Sequence, residues 1–120
     1  MSRDPRKLKV FAIADGLVVD VYRATRRYPV EERFGLLTQT RRATVSVPTN
    51  IVEGCAQRTL KGYAQYLGIA LGSASEVRYL LEVGQRLGFL TPDAAQPLIA
   101  RYGDVIRGME GLIGSLQRIA

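Results

Sequence analysis

LKGYAQYLGIALGSASEVRYLLEVGQRL, residues Leu60–Leu87, carries the clearest helical pattern in the chain. Leu60, Tyr63, Leu67, Ala70, Ala74, Val77 and Leu81 recur at steps of three and four and form one heptad-like apolar stripe. Tyr66, Ile69, Leu80, Val83 and Leu87 form a second stripe beside it. A helix with two apolar stripes is buried on more than one side. Thr59 supplies an N-cap at its start and Gly88 a C′ residue at its end. Downstream, Thr91-Pro92 offers a cap and a first-turn proline to a further helix carrying Ala95, Leu98, Tyr102, Val105, Met109, Leu112, Leu116 and Ile119.

Upstream, a segment from about Glu32 to Ala56 places Phe34, Leu37, Thr44, Val45, Ile51, Val52 and Cys55 on one arc. Pro48 lies inside it and predicts a kink or short break near Thr44, whose carbonyl loses its donor. Before that, Asp4-Pro5 opens a segment whose apolar residues Val10, Phe11, Ala14, Leu17, Val18, Val21, Tyr22 and Tyr28 recur at steps of three and four, and which Pro29 closes. Four amphipathic helices joined by a few residues predict an all-α, antiparallel up-down-up-down four-helix bundle with short loops, residues 1–120 forming a single domain.

The composition, 47% hydrophobic and 23% charged over 120 residues, is that of a globular protein rather than a disordered one. The absence of histidine excludes Ser-His-Asp triads, histidine proton shuttles and His-ligated zinc. The lone Cys55 excludes an internal disulfide and a multi-cysteine metal cage, and its apolar position reads as core. The motif repertoire of phosphate loops, nucleophile elbows and HExxH helices is not represented. A non-enzymatic protein without cofactor or metal is expected. No leader-like h-region follows the basic start and no apolar run matches a bilayer, so the expected location is cytoplasmic, without membrane partners.

Charge is the positive clue. The formal net charge is +6, fourteen of the seventeen basic residues are arginine, and most of the excess lies in the first thirty residues. Arginine's planar fork suits phosphates. The bases cluster as Arg3, Arg6, Lys7 and Lys9, as Arg23, Arg26 and Arg27, and as Arg58 and Lys61, with Tyr22 and Tyr28 near the middle group as stacking candidates. In an antiparallel bundle these make two basic zones rather than one groove. Arginines at the end of a helix also complement its dipole, which is a structural reason for them. The candidate nucleic-acid contacts are Arg23, Arg26, Arg27, Arg42, Arg58 and Lys61.

Arg42 belongs to a polar stripe with Gln39, Ser46, Asn50, Glu53 and Gln57, which fits either a site or an ordinary inter-helix polar face. Arg41 falls inside the apolar arc between Leu37 and Val45. A charge left unpaired there would cost several kcal/mol, so a partly buried ion pair is expected, with Glu76 the first partner and Glu53 the second. Gly68, Gly72 and Ser75 share a face of the third helix. Two readings compete for them: a loosely built exposed face, or close approach by another helix, including one from a second subunit. Gly103, Gly111 and Gly114 raise the same question on the last helix. Together these favour an oligomer.

The wording of the two central helices carries a resemblance. RRATVSVPTNIVEG, residues Arg41–Gly54, resembles the central motif of the bacterial four-helix-bundle proteins encoded in intervening sequences of 23S rRNA genes. Leu8–Phe11, Phe34–Leu36 and Ala70–Val77 resemble that family's opening, second-helix start and third-helix signature, in the same order along nearly the whole chain. Phe11 stands where the family usually has Trp, and Val52 where it usually has Ala. The resemblance implies a homopentamer and kinship with the basic pentameric accessory proteins of diversity-generating retroelements. It also makes RNA the favoured nucleic acid, by analogy. Two functions are therefore expected to compete: an oligomer that binds nucleic acid through arginine–phosphate contacts, and an oligomeric protein-interaction scaffold without a nucleic-acid role.

Overall fold

Local signals set most helix boundaries. Thr59 Oγ1 accepts the Gly62 N–H at 3.0 Å, and Thr91 Oγ1 accepts the Ala94 N–H at 3.2 Å with Pro92 at the first helical position. Gly88, at φ +79°, lets the Phe89 N–H reach back to the Gly84 carbonyl at 2.9 Å and the Gly88 N–H to Gln85 at 3.0 Å, a Schellman stop. The computed structural model describes residues 3–119. Its helices are α1 (Lys9–Ala24), α2 (Leu36–Cys55), α3 (Leu60–Arg86) and α4 (Pro92–Ile119), with 3₁₀ turns at Pro5–Lys7, Thr25–Arg27 and Val30–Glu32. The described residues contain no strand.

α1 packs on α2 and α4, and α3 packs on the same two, so the chain runs around a four-helix bundle in sequence order. The molecule is a rod of 45 × 23 × 19 Å, close to the length of its longest helix. No helix among the described residues is long and apolar enough to cross a membrane.

The first stripe of α3 is core: Tyr63, Leu67, Ala70, Ala74, Val77 and Leu81 are all buried. The second stripe splits. Leu80 is buried, but Ile69 and Leu87 face outward. On α2 the arc also divides, with Thr44, Ile51 and Cys55 inward and Val45 and Val52 exposed. The helix continues unbroken through Pro48, so of the expected kink or short break the break is absent. Buried Thr40 and Thr44 satisfy their hydroxyls one turn back, on the Leu36 and Thr40 carbonyls, both at 2.7 Å.

The expected start of α2 at Glu32 needs correction. Val30–Glu32 forms a tight turn, and the Glu32 carboxylate accepts the Leu36 N–H at 3.1 Å. The helix therefore begins four residues later, and Phe34 stays outside it. The close approaches also fall elsewhere than Gly68 and Gly72, where an added Cβ meets nothing within 4 Å in this chain. Instead Gly54 admits α3, with Tyr66 Cβ only 3.1 Å from a Cβ placed there, and Gly84 admits the Tyr28 hydroxyl. Gly111 likewise meets nothing. Gly103 and Gly114 face only arginine side chains of their own helix.

Candidate nucleic-acid interface

The fold sorts the three basic clusters into two zones, one at each end of the rod. At the first end, the last turn of α1 and the Thr25–Arg27 turn expose Arg23, Arg26 and Arg27, and Arg33 joins them from the α1–α2 connection. At the other end the N-terminal segment folds beside the α2–α3 turn. The Arg3 N–H donates to the Cys55 carbonyl at 3.4 Å and its guanidinium to the Gln57 carbonyl at 3.0 Å. Arg6, Lys7 and Lys9 thereby share an end with exposed Arg58 and Lys61. Among the described residues the ion pairs are Arg101–Asp20 at 2.7 Å and Arg107–Asp104, so none of the candidate contacts is neutralised by a paired carboxylate.

Arg41 is partly buried as expected, but its partner is not a carboxylate. Its Nε donates to Thr25 Oγ1 and one terminal nitrogen to the Tyr22 carbonyl, each at 3.1 Å, while the guanidinium lies 4.5 Å from the Tyr22 ring centre. The pairing with Glu76 is thus overturned, and Glu53 does not replace it. The physical reason is direction. Arg41 faces α1, and the Tyr22 carbonyl and Thr25 hydroxyl at the negative end of that helix dipole do the work assigned to an acid. Glu76 is exposed on α3, across the other flank of α2.

Arg42 points to that other flank. It lines a polar hollow of about 140 Å³ with Gln39, Ser46, Ser73 and Glu76, apart from the Arg23–Arg27 group. The Ser46 and Ser73 hydroxyls are 2.8 Å apart, and Asn50 Nδ2 donates to the Ser46 carbonyl at 2.8 Å. The middle of the polar stripe is therefore an α2–α3 seam. Ser75 bonds its own helix, at the Leu71 carbonyl, and is exposed beside Gly72.

The aromatic residues exchange roles. Tyr28 is buried against Phe89, ring centres 5.4 Å apart, and cannot stack on a ligand. Its hydroxyl has no hydrogen-bond partner, and burial pushes its pKa up to about 12. Tyr22 is 38% exposed and Phe34 90% exposed, with the Arg33 guanidinium 5.5 Å from the Phe34 ring centre. A second helix starting at Glu32 would place Phe34 on its apolar arc. Gly35 directly after it was the available signal of a chain not yet helical.

Cys55 is buried, which pushes its thiol pKa up, with Tyr63 and Arg3 working against the shift. It is a core residue, not an activated nucleophile.

The profile of the family described as 23S rRNA-intervening sequence protein matches residues 6–111. The chain belongs to that family. Among solved structures, a protein of unknown function from the S23 ribosomal protein family of Bacteroides thetaiotaomicron VPI-5482 superposes with a TM-score of 0.80 at 21% identity. The match covers 88% of this chain and 95% of that one, and at this identity it shows the fold. No curated protein matches the chain. In this chain, the family-like stretch Arg41–Gly54 serves packing for the most part. Thr44, Val47 and Ile51 fill the core, Gly54 admits the α3 tyrosines and Arg41 clamps α1.

Proposed function

We propose that the protein is a non-enzymatic, cytoplasmic homo-oligomer that binds nucleic acid, RNA in preference to DNA, through arginine–phosphate contacts. The observation that carries this reading is the α1–α2 corner, where Arg23, Arg26, Arg27 and Arg33 are exposed without paired carboxylates among the described residues. Unpaired arginines on one corner form an electrostatic footprint for phosphates. The preference for RNA rests on the family description, which names 23S rRNA intervening sequences. Five copies is the number implied by the resemblance.

A second reading, an oligomeric scaffold for protein contacts, has its own support. Val45, Val52, Ile69 and Tyr79 are exposed apolar residues on the outward sides of α2 and α3, where Gly68 and Gly72 lie open.

Titration with RNA and DNA of equal length at two salt concentrations separates the two. For about four phosphate contacts on a single strand, affinity falls about 50-fold between roughly 50 and 200 mM salt. Absence of binding at low salt removes the first reading and leaves the scaffold.

A further inference from the structure

The α1–α2 corner offers more than charge. Phe34 is 90% exposed and Val30 74% exposed, and large apolar side chains so open to water mark contact surfaces. They border a groove of about 520 Å³ lined by Pro29, Val30, Phe34 and Leu37, with Arg33 and Arg41 supplying charge. That volume is within the range of small-ligand sites.

The platform is held in place. The Arg33 N–H donates to Val30 at 3.1 Å and the Gly35 N–H to Glu32 at 3.0 Å, while the Thr38 hydroxyl donates to the Arg33 carbonyl. Phe34 thus projects from a bonded turn rather than a loose loop. The local acids, Glu31 and Glu32, are outnumbered by Arg23, Arg26, Arg27 and Arg33, and Glu32 is committed to the start of α2.

We propose that this corner is a base-stacking platform for single-stranded RNA, with an unpaired base on the Phe34 ring and the neighbouring arginines on the flanking phosphates. This rests on the nucleic-acid reading above and adds the form of the ligand. A duplex keeps its base faces stacked inside and offers Phe34 nothing, whereas an unpaired base presents an apolar face to an open ring. Charge complementarity favours an anionic polymer over an apolar peptide as the occupant.

The test is equilibrium titration of the full chain with single-stranded RNA, its abasic counterpart, duplex RNA and single-stranded DNA, all of equal length. The parent protein is expected to bind the single strand at least about 10-fold more tightly than the duplex or the abasic strand. Phe34→Ala is expected to lose about 10-fold on the single strand and nothing on the abasic one, and Phe34→Tyr to retain binding. Three results overturn the proposal: Phe34→Ala binding like the parent, single-stranded DNA binding as tightly as RNA, or Phe34→Ala changing the oligomeric mass, which makes the ring a subunit contact. In the first case, loss of binding in an Arg26→Ala/Arg27→Ala variant keeps the broader nucleic-acid reading intact; in the second, the same loss keeps arginine–phosphate binding and removes only the preference for RNA. No binding of any strand at low salt overturns both.

Discussion

At the α2–α3 end of the rod, Arg3 lies 4.3 Å from the ring centre of buried Tyr63 and caps the Gln57 carbonyl. At the α1–α2 end, Arg33 lies 5.5 Å from the ring of Phe34, which is open to solvent. Both ends are basic, so charge alone does not distinguish them. The difference is that one cation–π pair is closed into the fold and the other presents its ring to solvent. A closed pair ties the N-terminal segment to the bundle, while an open ring adds nothing to packing and leaves an apolar face for a ligand. Arg41 shows the intermediate case, its guanidinium lying near Tyr22 and bonded to the end of α1.

The largest effect expected is alkaline. Tyr28, beneath the open corner, and Tyr102, in the core, have pKa values pushed up to about 12 by burial, from an ordinary 10.0; the Thr44 hydroxyl and Arg101 only partly oppose this at Tyr102. The folded protein keeps these protons where the unfolded chain loses them. Their contribution is complete below pH 10 and is lost as pH rises toward 12, by about 5 kcal/mol for the two together. Urea denaturation across this range checks it, and Tyr28→Phe should flatten part of the fall.

Next in size is the packing beneath the corner. A Cβ at Gly84 collides with the Tyr28 hydroxyl, so Gly84→Ala should cost about 1–3 kcal/mol in urea or thermal unfolding. Adding Tyr28→Phe should recover much of it, because it removes both the obstacle and an unpaired buried hydroxyl. A cost that persists in the double variant would place the strain elsewhere.

Arg41→Ala should cost about 1–2 kcal/mol, as loss of charged hydrogen bonds to a helix end, and less than the 3 kcal/mol or more typical of breaking a buried ion pair. Arg42→Ala should stay within about 0.5 kcal/mol. Equal effects from the two substitutions would contradict their assignment to opposite flanks of α2.

The smallest effect concerns the open glycines. Gly68→Ala and Gly72→Ala should each stabilise an uncovered helix by about 0.5–1 kcal/mol. Destabilisation together with a fall in mass by light scattering would instead show that a second copy covers this face.

What was legible in the sequence is what depends on neighbours in the chain. The caps at Thr59, Thr91 and Gly88 act over two or three residues, so residue type alone announces them. The first stripe of α3 was legible because it is continuous. Outward-facing Val45, Val52 and Ile69 were not, since periodicity orders residues around a helix without saying how wide its neighbours' cover is. Arg41 illustrates the same limit. Its partial burial followed from the wheel, but its partner is the end of another helix, which no wheel of α2 contains. The Gly68–Gly72 spacing left an open face and a close approach as alternatives, and within this chain the face is open, whereas the glycines that need their missing side chains, Gly54 and Gly84, are isolated ones opposite tyrosines.

If the two basic ends differ in kind, ultraviolet cross-linking of single-stranded RNA to the purified protein will distinguish them. Peptide mapping is predicted to place the adducts at residues 22–34, on Tyr22 and Phe34. Adducts confined to the Arg58–Tyr63 end, or spread equally over both ends, would contradict that difference.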